Sequence, residues 1–303
     1  MADTHRMSEP AAGDAVLGYL AEHAARLGEL APAARRDEPD AVHRMRVSAR
    51  RLRSAMRTFR TVLDTGATAP LVEELSWLGA VLGTDRDREV LTDRLSARVD
   101  ELPEQLVVGP VRARLRIWSV RRRSSTRSDV LEALDGPRFR ALLDALDALL
   151  TEPPLRPDAQ LPAARVLSRR LLRDWQRLAD RMEPALATAP GPQRDVRLHT
   201  ARKAAKRARY AAEAARPVLH RPARKFKVEM QALQELLGEH QDSVVARGTL
   251  RGLAAQADAA GESAFTYGLL HQVEHDRALA AERRAPRLWQ RASRPKLRRR
   301  LGG

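Results

Sequence analysis

The segment AVHRMRVSARRLRSAMRTFR, residues 41–60, holds seven arginines and no acidic residue. Its apolar residues decide what can present them. At 100° per residue, with His43 at 0°, Met45, Leu52, Met56, Phe59 and Leu63 fall between about 160° and 220°. Arg46, Arg50, Arg53 and Arg57 fall near about 300°, 340°, 280° and 320°, and with His43 they form a row about 80° wide. This spacing predicts a helix that packs by one side and shows cations along another. From His43 to Arg53 the row runs about 15 Å at 1.5 Å per residue.

A second segment, RLHTARKAAKRARY at 197–210, does the same. Laying His43 on His199 sets Arg46, Arg50, Arg51 and Arg53 over Arg202, Lys206, Arg207 and Arg209. Here Ala201, Ala205, Ala208 and Ala212 make a slimmer apolar face, which allows close helix approach. Further on, LGTDRD (82–87) lies over LGEHQD (237–242). The interval from each histidine to the final aspartate is 44 residues in the first half and 43 in the second. The chain therefore reads as two copies of one helical unit related by a pseudo-two-fold axis, with the Pro-rich stretch TEPPLRPDAQLP (151–162) between them.

The 303 residues are 43% hydrophobic but only 4% aromatic, so the core must be built mainly of Leu, Ala and Val. With abundant Arg and Glu, that is a helix-favouring alphabet. No stretch shows strand alternation or a βαβ rhythm. Helices are predicted over 12–35, 40–63, 70–83, 86–101, 104–128, 136–150, 161–187, 195–218, 223–240, 243–259 and 262–284. The expected fold class is all-α. There is no cysteine, which excludes disulfides and Cys-based metal sites. The N-terminus MADTHRMSEP lacks an apolar signal core and no apolar run reaches a membrane span, so a cytoplasmic location is expected.

The net charge of +16 is localised. Besides the two rows, 283–303 holds nine Lys and Arg and no acid, so the remainder of the chain is net negative. Concentrated basicity on a mildly acidic body suggests an anionic partner with a defined docking site. Like charges at i,i+3 and i,i+4 oppose a helix by roughly 0.2–0.5 kcal/mol per pair, so something must offset them. One reading is intramolecular: Glu73, Glu74, Asp85 and Asp87, or Glu229, Glu235, Glu239 and Asp242, pair with the rows. The other is a polyanion held between the rows, since guanidinium forks match phosphate oxygens. His43 and His199 are either structural residues or phosphate donors at the start of each row. No HExxH or local His/Asp/Glu triad points to a metal, and His271 and His275 read as surface residues. The tail reads as solvated, with Leu288 and Trp289 docking its first part on the body.

With HRMRVSARRLR (43–53), HTARKAAKRARY (199–210) and LQELLGEHQDSVVARGTL (233–250) in hand, residues 12–290 resemble a CHAD domain, the conserved-histidine α-helical domain. The resemblance implies two pseudo-symmetric four-helix units, here 12–150 and 161–284 with a basic tail 285–303. It also implies a basic central groove that binds inorganic polyphosphate; some members localise to polyphosphate granules. It carries over to His43, Arg46, Arg50, Arg53, His199, Arg202, Lys206 and Arg209. Arg51, Arg57 and Arg207 complete the candidate set. Ala201 and Lys203 stand where the first copy has Met45 and Val47, so the copies need not contribute equally. The triphosphatase domain that often accompanies CHAD domains has a strand-borne ExExK, which is not seen here.

Three functions follow. The first is non-enzymatic polyphosphate binding, with no catalytic residue, metal or cofactor. The second is nucleic-acid binding by the same surface, although only Phe59 and Tyr210 lie near the rows as stacking groups. The third is phosphate chemistry, with the histidines as nucleophiles or acids and Glu74 or Asp87 holding Mg²⁺, although no Gly-rich phosphate loop is present. A membrane-surface role does not fit, because the apolar faces are needed inside the bundle.

Overall fold

A computed structural model describes residues 9–301, with the side chains of 84–89 and 120–126 outside the description. Among the described residues there are ten α-helices and no strand. They are α1 (Ala12–Arg35), α2 (Ala41–Thr58), α3 (Thr65–Val81), α4 (Thr84–Asp100), α5 (Val111–Asp135), α6 (Pro137–Thr151), α7 (Ala163–Ala187), α8 (Pro192–Asp258), α9 (Phe265–Ala292) and α10 (Pro295–Arg299). Two short 3₁₀ turns, Glu104–Leu106 and Pro157–Gln160, bridge longer connections.

The apolar stripes decide how these helices meet. In α1, Val16, Leu20, Leu27 and Ala31 recur at helical spacing and are buried. In α2 the face predicted from sequence, Met45, Leu52 and Met56, is fully inside, joined by Ala49. The alanine face of α8, Ala201, Ala205, Ala208 and Ala212, is buried too. These residues belong to a main core that also takes Leu75 and Leu78 of α3, Leu142 and Leu146 of α6, and Leu171 and Leu178 of α7. A second, smaller core lies apart. Leu95 and Val99 of α4 and Val111 and Leu115 of α5 pack there on Leu250 and Leu253 of α8 and Tyr267 and Leu270 of α9.

The helix α8 therefore serves both cores and carries a sharp break, with main-core residues on both sides of it and the smaller core met only from Ala246 on. His220 leaves the helical basin (φ 44°, ψ −116°) between Pro217 and Pro222. This falls in the break expected between 218 and 223. The break expected between 240 and 243 does not exist, since α8 runs through it. The helix over 40–63 ends earlier, at Thr58, and the one over 262–284 continues through Pro286 to Ala292.

That extension changes the reading of the basic tail. Trp289 is only 7% exposed and stacks on Trp175 of α7, with ring centroids 5.9 Å apart. Trp175 Nε1 donates to the Ala292 carbonyl at 3.0 Å. Arg298 lies over the other side of the junction, 4.0 Å from the Trp175 ring centroid, and Leu301 is buried. The tail expected to be solvated beyond its first part is a docked element as far as Leu301. Trp289→Ala is expected to lower the unfolding free energy by about 3–5 kcal/mol, read by urea denaturation. A loss below about 1 kcal/mol would mean that the stacked pair does not anchor this end.

Candidate anion-binding site

The rows of α2 and α8 are brought together where those helices pack. Their junction is Tyr210, a buried side chain on α8. Its hydroxyl accepts from Arg50 Nε at 2.6 Å, and the Arg50 and Arg209 guanidiniums lie 5.6 and 4.6 Å from its ring centroid. One aromatic ring thus tethers an arginine from each row, each contact adding about 0.5–2 kcal/mol of cation–π attraction. On the other side of the α2 row, Arg53 NH1 donates to Ser76 Oγ of α3 at 3.0 Å.

Lys206 sits at the centre. Burial pushes its ammonium down to about 7, and the charges of Arg50, Arg202, Arg46 and Arg209 add to that shift. Two of those arginines belong to α2 and two to α8. Burial also lowers Arg53, with Arg57 and Arg50 contributing. Burial lowers His199, helped by Lys203 and Arg202 and opposed by a hydrogen bond with Gln241. His43 is exposed at the start of the α2 row, and Arg57 is exposed near its end.

Two of the candidate residues face elsewhere. Arg51 and Arg207 each stand eight positions after their histidine, near about 80° on the helical wheel and well off the row. Arg51 is ion-paired with Glu213, both largely buried. Arg207 Nε lies 3.4 Å from Asp174 Oδ1, and its NH2 donates to the Arg57 carbonyl at 3.0 Å. These carboxylates were not among those expected to pair with the rows. Four of the acids that were expected have partners outside the rows: Glu74 with Arg138, Glu229 with Arg291, Glu239 with Arg284 and Glu235 with Gln231. Asp85 and Asp87 lie among the undescribed side chains.

A glycine lies against one arginine of each row, tightly at Gly83 and at ordinary contact distance at Gly238. A Cβ on Gly83 would stand 3.3 Å from Arg46 Cζ and 2.8 Å from the Gly79 carbonyl oxygen. A Cβ on Gly238 would stand 3.6 Å from Arg202 Nε. These are the glycines of LGTDRD and LGEHQD, so the sequence repeat coincides with the same contact at both places.

One cluster was invisible to local spacing. Asp195 and His240 of α8 and Glu282 of α9 place potential ligand atoms within 4.8 Å of one another. His240 Nε2 is 3.2 Å from each carboxylate. Arg247 and Arg194 each hold one of those carboxylates at 3.1 Å. The cluster carries its own cations and is an internal ion-pair network. His271 and His275, read as surface residues, are half-buried, and His275 Nδ1 lies 3.1 Å from Arg247 NH1.

The CHAD domain family profile matches residues 18–251. The chain belongs to the CHAD domain family. Two Mycobacterium tuberculosis proteins, Rv2226 and MT2285, are each 40% identical over 246 residues, 81% of this chain and 47% of theirs. The chain spans about half the length of these curated relatives. Among solved structures, PptA from Streptomyces chartreusis superposes with a TM-score of 0.77 at 26% identity, covering 92% of this chain and 99% of that one. The CHAD domain from the plant Ricinus communis gives 0.64, also at 26% identity, covering 97% and 92%. These likenesses agree with the all-α fold.

The two glycines separate by sterics. Gly83→Ala is expected to lower stability by about 1–3 kcal/mol, because backbone and Arg46 must both shift. Gly238→Ala, at an ordinary contact distance inside a helix, is expected to be neutral or to stabilise by up to about 1 kcal/mol. Thermal denaturation of the two variants side by side reads the contrast.

Proposed function

We propose that this chain binds inorganic polyphosphate in a groove between the α2 and α8 cation rows, without turning it over. The contacts would come from His43, Arg46, Arg50, Arg53 and Arg57 on one side and His199, Arg202, Lys206 and Arg209 on the other. What carries this reading is the convergence of the two rows: Arg50 of α2 and Arg209 of α8 meet on the Tyr210 ring, and arginines from both helices crowd Lys206, whose ammonium burial lowers. Such crowding of like charge is relieved by a linear polyanion, whose oxygens accept bidentate guanidinium contacts and whose binding releases counterions. Membership of the CHAD family, together with the resemblance of the three basic and LGEHQD-type segments, supports the same ligand and an association with polyphosphate granules. No described helix is long and apolar enough to cross a membrane.

Nucleic acid is the second reading, and the aromatic residues speak against it. Phe59 is buried in the core, and Tyr210 is buried with its ring taken by Arg50 and Arg209. Neither offers a platform for a base.

In a titration with long-chain polyphosphate, the pair Arg50→Ala and Lys206→Ala is expected to weaken binding at least roughly tenfold. The pair Arg299→Ala and Arg300→Ala is expected to cost no more than about twofold. Equal losses would overturn a defined site, and displacement by short duplex DNA at equal phosphate concentration would favour nucleic acid. Release of orthophosphate with Mg²⁺ present would point to an enzyme.

The pH dependence follows from Lys206. A bound polyanion holds the ammonium proton, whereas the free site loses it as pH rises through about 7. Affinity should therefore be greatest below about pH 7 and decline toward about pH 9, and Lys206→Arg should flatten this component. Identical profiles for the wild type and Lys206→Arg would exclude Lys206 from the binding surface.

A further inference from the structure

Beyond the rows, a second group of arginines converges on one buried carboxylate. Arg170 of α7 is 3% exposed, and its three guanidinium nitrogens are buried without a hydrogen-bond partner. Its NH2 lies 3.9 Å from Asp174 Oδ1, an ion-pair contact too long for a hydrogen bond. That same oxygen already accepts from Arg177 NH1 at 3.0 Å and faces Arg207 Nε at 3.4 Å. Arg57 and Arg60, from the end of α2 and just beyond, add their fields to the cluster. Three guanidiniums thus meet on Asp174, itself only 1% exposed, and two more stand near enough to act on Arg207. Burial pulls Arg170 down to about 10, opposed by Asp174 and reinforced by Arg207, Arg177 and Arg60, so it remains a cation at neutral pH.

The outer side of this cluster is accessible. Arg57 and Arg60 are exposed, and the side chains of Arg177 and Arg207 are about one-third exposed. Arg60 also lines an open pocket of about 550 Å³ with Thr61, Thr65, Arg156, Pro157 and Asp158. The corresponding corner of the first row is different. There Arg51 is matched by Glu213, beside the buried Tyr19 and His23. Charge there is balanced; at Asp174 it is in surplus. Arg177 and Arg207 engage part of their forks with Asp174 and the Arg57 carbonyl, while Arg57 and Arg60 are exposed beside them. This surplus of guanidinium over a buried cation suits an oxyanion with several acceptor oxygens.

We propose that Arg57, Arg60, Arg177 and Arg207, underlain by Arg170, form a second phosphate-binding station that takes the far end of the polyanion held by the α2–α8 rows. This rests on the polyphosphate reading above. Arg57 links the two places, since it closes the α2 row and its carbonyl receives Arg207. At 1.5 Å per residue the row from His43 to Arg57 is about 21 Å long. A short chain is held by the rows alone, whereas a long one reaches both places and gains from the high effective concentration of its second contact.

The test compares tripolyphosphate with long-chain polyphosphate by calorimetric titration at fixed low salt. The variants are Arg60→Ala alone and the pair Arg60→Ala with Arg177→Ala. The pair is expected to weaken long-chain binding roughly five- to tenfold and to lower the slope of log affinity against log salt by about one per arginine removed. Tripolyphosphate affinity should not change. Arg60→Ala alone, at an exposed position, should give a smaller loss in the same direction with an unaltered melting temperature. Unchanged long-chain affinity in both variants overturns the station and leaves the rows standing. Equal weakening of both ligands also overturns it, since the station would not be separate from the rows. A wild-type chain that binds neither ligand overturns the station together with the reading on which it rests.

Discussion

The cations of α2 and α8 are held near one another chiefly by the apolar packing of the faces behind them. Each like-charged pair one turn apart opposes its helix by roughly 0.2–0.5 kcal/mol, and the crowding around Lys206 adds repulsion between helices. Against this stands the burial of Met45, Leu52 and Met56 on α2 and of Ala201, Ala205, Ala208 and Ala212 on α8. Apolar burial contributes roughly 25 cal/mol per Å², so a few such side chains outweigh several repulsive pairs. The alanines also matter by being small, because they let helix axes approach closely. Tyr210 then fixes the rows side by side through Arg50 and Arg209.

The acidic residues support this arrangement by their placement elsewhere. Glu274 is fully buried and takes Arg94 through both oxygens, at 3.0 and 2.6 Å, while Arg94 NH2 also donates to Ser243 Oγ at 2.7 Å. That ties α4 to α8 and α9 around the smaller core. Glu74 receives Arg138 in the same two-pronged way, joining α3 to α6, and burial of the carboxylate is outweighed by that hydrogen bonding, which lowers Glu74. Asp195 and Glu282 are held by Arg247 and Arg194. Carboxylates thus act as fasteners between helices while the Lys206 neighbourhood keeps its positive excess.

Much of this was legible in the sequence, because a helical stripe is a local property. The 3.6-residue period gave α2 its buried face and its cation row, and the spacing between His43 and the LGTDRD segment matched that between His199 and LGEHQD. The errors have local causes too. A break was expected between 240 and 243, yet even with Gly238 inside it, at a cost of only about 1 kcal/mol, α8 runs on. A helix was expected to end at 284, yet α9 continues past Pro286, where Trp289 packs on Trp175. What could not be read was which carboxylate meets which arginine. Glu213 lies on a different helix from the Arg51 it pairs with, as Asp174 does from Arg207, and no periodicity encodes either meeting. The Asp195, His240 and Glu282 cluster was hidden for the same reason.

The bond from Arg207 to the Arg57 carbonyl has an electrostatic consequence for the end of α2. The last carbonyls of a helix carry the negative pole of its macrodipole, equivalent to roughly half an elementary charge. Left bare, that pole would meet an incoming anion where the α2 row finishes. The Arg207 guanidinium covers one of these oxygens, and Arg57 and Arg60 stand beside it. Positive potential is thereby maintained past the final turn, where bare peptide dipoles would have reversed its sign.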